Sequence, residues 1–502
     1  VARRYRLATA MESDLSRREF LERTALAAGL AGSAALPAST ILAESAEAHW
    51  GGNPLPSPRN IPIDHFVILM MENRSFDHYF GWLREADGEQ RQSFPNALGQ
   101  QVPTRHFSTL GTGGTQYKGC GHPDPGHGWD SGRAQLNGGF LAPGSGNDEF
   151  ALTYFNQGDL GFIHEAARNY TSYDRYFCSI LASTWPNRFY KWSAQSGGLK
   201  TNSVAPGGNN WETIFDRAIG KGLTARYYAS DLPFAALFGE RSGAWINPIS
   251  RYYEDCFLGT LPNIAIVDPP FRDGGGGDGL SADEHPLGDV RLGQAFMADV
   301  VTAFAATPGY RRGALFVVYD EWGGFFDHVR PPRVADDRAS TDPNEDFGQM
   351  GFRVPAVAVS PFARRAKKRW RWERDFNGWG HDHFNVDHGL YGHESILKFI
   401  SYRFGLGDLN TRMKFANNIG RSFEWRRPDF ENPPLPDPPM IVTQPCALGG
   451  GDVLDSQQAH ASDLADIEHV AERYKLPVYE GKTDDIFTMP DSIKKGLEAA
   501  PK

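Results

Sequence analysis

"HFVILMMENRSFDHYFG", His65 to Gly81, sets two opposed chemistries side by side. Phe66, Val67, Ile68, Leu69, Met70 and Met71 form an unbroken apolar run. Such a run reads as a strand buried on both faces, the usual state of a strand in a parallel sheet. It stops at once in Glu72 and Asn73, with Arg74, Asp77 and His78 close behind. The pattern returns in "GALFVVYDEWGGFFDHV", Gly313 to Val329, where Leu315 to Tyr319 run into Asp320 and Glu321. A third run, "NIAIVDPP", ends in Asp268.

Further strands are expected at Ala225–Ala229, Ile264–Val267 and Val354–Val359, and helices at Asp289–Ala305 and Glu394–Phe404. Continuous apolar strands interleaved with helices imply an α/β fold with a mostly parallel sheet covered on both faces. Gly51 to Arg59 reads as a linker and "RDGGGGDG" (Arg272–Gly279) as a surface loop. Beyond Phe404 the chain turns proline-rich and extended ("FENPPLPDPPMIVTQP"), and its last sixty residues are polar and helical at best. That part, 404–502, is expected to be an extended tail wrapping the domain at 60–403 rather than a second catalytic unit. No internal repeat is visible.

In open parallel sheets, ligands bind beyond the carboxyl ends of the strands. Glu72, Asn73, Asp320 and Glu321 therefore converge on one edge if their strands are neighbours. Clustered carboxylates repel one another unless a cation lies between them. Oxygen ligands of this kind suit a divalent ion, Ca²⁺, Mg²⁺, Mn²⁺ or Zn²⁺. The competing reading is that these residues only cap helices or solvate turns.

"CSILASTWPNRFYKW" (Cys178–Trp192) supplies a nucleophile candidate. A helix starting near Pro186 sets Thr184 at its N-terminus, where anions are favoured, and Arg188 one turn along. There Arg188 can hold a phosphate or brace the hydroxyl. A threonine hydroxyl needs activation, which a metal provides. Ser183 and Ser179 are alternatives, and a plain helix cap is the bland one. His127, His285, His328 and His393 each lie in a turn or at a helix start, and any could bind phosphate oxygens or protonate a leaving group. The cluster His381, His383, His388 and His393 raises a zinc site, set against a surface loop.

Across all 502 residues, 22% charged and 13% aromatic describe a globular protein. A net charge of −10 argues against non-specific nucleic-acid binding. No apolar stretch is long enough for a transmembrane anchor. Arg17-Arg18, the mildly apolar segment from Thr24 to Pro37, and Ala46-Glu47-Ala48 together resemble a twin-arginine export signal with its cleavage site. Residues 1–48 are thus expected to engage the twin-arginine translocation machinery, with Met11 a candidate start. The destination is the periplasm, the cell surface or the medium. Cys120, Cys178, Cys256 and Cys446 allow three pairings, among which sequence does not choose.

"VILMMENRSFDHYFG", "YFCSILASTWPNR", "SADEHPLGDVRLGQAF", "VVYDEWGGFFDHV" and "YGHESILKFI" resemble, in order, the motif blocks of bacterial phosphoesterases. That family includes haemolytic and non-haemolytic phospholipases C and acid phosphatases. The resemblance implies an alkaline-phosphatase-like three-layer sandwich with a divalent metal. It matches Glu72 and Asn73 to a first metal-binding pair, Asp320 and Glu321 to a second, and Thr184 to the nucleophile. His127 and His285 match active-site histidines, with His393 more loosely. The segment Arg365–Gly392 is longer and more aromatic-rich than the family pattern. Thr-x-Pro-x-Arg also echoes a sulfatase signature, but threonine cannot become formylglycine. The expectation is an exported metal-dependent phosphoric ester hydrolase of phospholipase C type, acting on a phospholipid or another phosphate ester. The alternatives are an acid phosphatase on the same site and a non-catalytic metal- or phosphate-binding protein.

Overall fold

The computed structural model describes residues 53–205, 208–271, 281–363, 385–433, 435–436, 441, 443–447 and 450–479. The proposed export signal, the "RDGGGGDG" loop, His381 and His383 lie outside the described residues.

An eight-stranded sheet forms the centre. Its strands are β1 (His65–Met71), β2 (Thr171–Tyr173), β3 (Ala225–Ala229), β4 (Ile246–Pro248), β5 (Ile264–Asp268), β6 (Gly313–Tyr319), β7 (Ala356–Val359) and β8 (Asn385–Asp387). Their order is β8–β2–β7–β6–β1–β5–β3–β4. All neighbours are parallel except where β7 meets β6 and β2. The apolar runs do what their composition demands: every residue of β5 and β6 is buried, as is β1 from Phe66 onward. β7 begins later than Val354 because Pro355 has no N–H to donate to a ladder.

Helices cover the sheet on its two faces. α1 (Gly161–Asn169) packs on α3 (Val290–Ala306), and α2 (Thr184–Ser193) packs on α4 (His393–Phe404). The C-terminal α5 (Asp452–Arg473) packs against the turn Phe234–Phe238. A disulfide joins Cys120 to Cys446, 326 residues apart, while Cys178 and Cys256 are free and buried. Among the described residues no helix is long and apolar enough to cross a membrane.

Candidate active site

Three adjacent strands bring their acidic tips to one edge. β1 and β6 pair up to Met71 opposite Tyr319, so Glu72 and Asp320 are the next residues on neighbouring strands. On the other side of β1, β5 ends in Asp268. Pairing continues past the strands: the Asp320 N–H donates to Met71 O (3.1 Å) and the Arg74 N–H to Glu321 O (3.2 Å). The Asn73 N–H donates to Asp320 Oδ1 (3.2 Å). Asn73 holds φ +63°, a left-handed conformation that asparagine tolerates better than most residues. Its carbonyl presses so closely on Gly323 that a Cβ there would lie 2.2 Å away, which explains the glycine.

This edge is dry and acidic. Glu72, Asn73, Asp268, Asp283, Asp320 and Glu321 are all buried. Two bases oppose them. Arg188 reaches Glu72 (3.2 Å), Asp268 (3.2 Å) and Asp320 (3.0 Å), and Lys191 reaches Asp268 (2.9 Å). Arg188, read from sequence as a phosphate holder or a brace, is therefore a clamp across all three strand tips. Thr184, Arg188 and Lys191 are spaced so that one face of α2 carries them. Burial, then the Asp320 charge, pushes the Glu72 carboxyl well above its ordinary range. Burial, helped by Asp320 and opposed by His127, pushes Glu321 up to about 8. Burial also raises Asp320. Asn73 Oδ1 and Nδ2 and Glu321 Oε1 are buried with no hydrogen-bond partner among the described residues. Unpaired buried oxygens amid carboxyls that outnumber the two bases fit a hard divalent ion, with Glu72, Asn73, Asp320 and Glu321 as donors.

Thr184 opens α2, and its hydroxyl donates to Glu72 Oε1 at 3.1 Å. It faces a cavity of about 270 Å³ lined also by Arg188, Asp124, His127 and His285. The His127 Nδ1–H donates to Pro125 O (2.7 Å), which leaves Nε2 for a ligand. Burial by itself would lower the His127 pKa, but the Glu321 and Asp124 carboxylates hold it up at about 9. His285 differs. Burial and the neighbouring imidazoles of His460 and His127 keep it well below the usual range, hence neutral. Its Nδ1–H donates to the Pro286 carbonyl, and its Nε2 lies 3.5 Å from Asp124 Oδ2.

The other two histidine candidates have different surroundings. His393 is buried behind the edge, its Nε2 2.8 Å from Asp320 O and its Nδ1 3.1 Å from Tyr176 Oη. His328 does not line the cavity. It pairs with Asp77 (2.5 Å) and Asp87 (3.2 Å), beside Arg353, which itself bridges Asp77 (3.1 Å) and Asp327 (2.9 Å). The Arg353 guanidinium and the His328 imidazole oppose the charge of that group of acids. His388, from the supposed zinc cluster, pairs with Asp174 at 2.7 Å.

Sequence reasoning missed Asp124 and Asp283, and it assigned α5 to a wrapping tail without placing it at the site. Asp283 sits in the "SADEHPLGD" block, two residues before His285, and its backbone carbonyl accepts from the Glu72 N–H (2.9 Å). His460, Asp463, Leu464 and Ile467 of α5 form a further wall of the cavity. The helical spacing of Leu464, Ile467 and Ala471 was the available signal.

The profile of the Phosphoesterase family matches residues 63–407, more than half of the chain. This chain belongs to the phosphoesterase family. Among its relatives, this phosphoesterase is 28% identical to the non-hemolytic phospholipase C of Pseudomonas aeruginosa, over 86% of its own length and 69% of that enzyme's. It is 27% identical to phospholipase C B of Mycobacterium tuberculosis, over 86% and 90% of the two chains. Against the non-specific phospholipase C1 of Arabidopsis thaliana it is 30% identical, and it spans only 62% of that protein. A solved member of the alkaline phosphatase superfamily from Vibrio parahaemolyticus aligns with 85% of this chain and 91% of its own, at 9% identity and a TM-score of 0.34. Family and relatives put the chain among the phosphoric ester hydrolases.

Proposed function

We propose that this phosphoesterase is an exported, metal-dependent hydrolase of phospholipase C type that cleaves phosphodiesters through Thr184. The observation that carries the reading is the Thr184 hydroxyl at the cavity, 3.1 Å from Glu72 Oε1, with Glu72 followed in the chain by Asn73, whose buried side-chain oxygen has no hydrogen-bond partner among the described residues. Glu72, Asn73, Asp320, Glu321 and the Thr184 hydroxyl are the groups that would hold the ion. A divalent ion bound there lowers the pKa of a neighbouring hydroxyl and offsets charge on phosphoryl oxygens.

The chain's own residues supply the rest. Arg188 locks the strand tips, and Glu72 orients the Thr184 hydroxyl. Deprotonated Thr184 Oγ1 attacks phosphorus as the bond to the departing alcohol breaks. The His127 Nε2–H protonates that alcohol, a role that suits the cationic imidazole better than neutral His285. Water, held by the unprotonated Nε2 of His285, then attacks the phosphothreonine and passes a proton to His127, and Thr184 leaves as it began. Apolar walls from Trp185, Phe234 and Phe271 suit the carbon skeleton of a phospholipid or a similar ester. Export rests on the Arg17-Arg18 signal, and the Cys120–Cys446 disulfide supports an oxidising destination.

Purified protein assayed with added divalent cations on bis-p-nitrophenyl phosphate, p-nitrophenyl phosphate and a panel of phospholipids tests this. Diester turnover is expected. Strong preference for the monoester makes it an acid phosphatase, and no turnover under any condition makes it a binder of metal or phosphate.

A further inference from the structure

The matched family segment ends at residue 407, yet α5, beginning at Asp452, reaches the cavity. Its inner face is built for the task. Leu464, Ile467 and Ala471 are buried at helical spacing, and His460 and Asp463 lie on the same side.

His460 stacks on His285 with ring centres 3.9 Å apart and planes 17° apart. The hydrogen bond from His285 Nδ1–H to Pro286 O fixes that ring in its plane, and the stack closes the direction across it. Asp463 Oδ2 accepts from Asn202 Nδ2 (2.6 Å), while Asn202 Oδ1 accepts from the Trp185 N–H (2.9 Å). Trp185 follows Thr184, so α5 is tied through one side chain to the backbone that aims the nucleophile. The helix is also anchored at both ends. The Cys120–Cys446 disulfide and the Lys118 contact with Gln444 O hold the segment before it to the loop that carries Asp124 and His127. After it, the Tyr479 N–H donates to Asp231 O (3.0 Å).

We infer that α5 is a working wall of the active site: Leu464 and Ile467 limit the size of ester group admitted, and His460 is a positioning residue for His285. This rests on the phosphodiesterase reading above. An ester group too large for the cavity must displace Leu464 or Ile467, whereas a small one does not meet them.

The test is steady-state kinetics of the full chain on methyl p-nitrophenyl phosphate and bis-p-nitrophenyl phosphate. Leu464→Ala and Ile467→Ala are expected to raise the bulky-to-small ratio of kcat/KM by roughly tenfold, chiefly through KM for the bulky ester. Leu464→Val, a milder cut, serves if the alanine variant does not fold. His460→Ala is expected to lower kcat on both esters with KM little changed, and His460→Phe, which keeps a flat ring on His285, to restore it. Folded variants with an unchanged ratio overturn the wall. Activity that rises equally on both esters overturns it too, since α5 would then be a plug. A His460→Phe variant as impaired as His460→Ala overturns the positioning role. Wild type inactive on every ester defeats the functional reading itself, and this inference with it.

Discussion

Stripping divalent cations with EDTA should make the protein lose thermal stability as the pH rises from about 4.5 to about 8.5. Glu72, Asp320 and Glu321 share a dry edge, and each has its carboxyl raised chiefly by burial. For Glu321 the shift runs from the ordinary 4.5 to about 8. Between those values the folded state binds a proton that the unfolded state has released. Stability therefore falls with rising pH, and the loss is complete once pH exceeds the folded value. His127 acts in the same direction. Its pKa is raised from 6.5 to about 9, so the stability it contributes below 6.5 disappears as pH climbs through 9. At about 1.4 kcal/mol per pKa unit, Glu321 alone accounts for about 5 kcal/mol. Unfolding 502 residues at about 2.1 cal/mol/K each releases about 1 kcal/mol/K, so the melting temperature should drop by about 5 °C. Excess Ca²⁺ or Mg²⁺ should remove the drop, because the cation binds the ionised form and binds it better as pH rises. Differential scanning calorimetry with EDTA and with each cation reads both effects, and Glu321→Gln in EDTA should flatten the slope. A melting temperature in EDTA that stays level or rises across this window, or slopes identical with and without cations, would refute the reasoning.

Thr184→Ala should cut kcat by at least about 10³-fold with little change in melting temperature, while Thr184→Ser keeps measurable turnover; hydrolysis undiminished in the alanine variant rules out a covalent threonine. Arg188→Met leaves Glu72, Asp268 and Asp320 without their shared counter-charge, and urea unfolding should report a loss of about 3–5 kcal/mol. Gly323→Ala drives a Cβ to 2.2 Å from Asn73 O, and calorimetric titration should find divalent-cation affinity lowered by about 10–100-fold. His328→Asn should lower stability and leave kcat unchanged, since its partners Asp77 and Asp87 lie outside the cavity; a collapse in kcat would place that histidine in the chemistry.

The strands, the acids at their ends and the hydroxyl at a helix start were readable from the chain, because each is a pattern among residues a few positions apart. Phe66–Met71 running into Glu72-Asn73 states a buried strand with a polar tip, whatever surrounds it. Which tips meet is not local information. The order β6–β1–β5 brings together residues 72, 268 and 320, and no periodicity encodes it. Strands of three residues, Thr171–Tyr173 and Asn385–Asp387, are too short to show a period, so the outer edge of the sheet went unread. The reach of Arg188 across three strands, the Cys120–Cys446 pairing and the His460–His285 stack likewise join segments far apart in the chain. The sequence alone determined which chemical groups the protein carries at its strand and helix ends. Tertiary structure decided which of them share one buried edge and the cavity beside it, since only packing converts distance along the chain into distance in space.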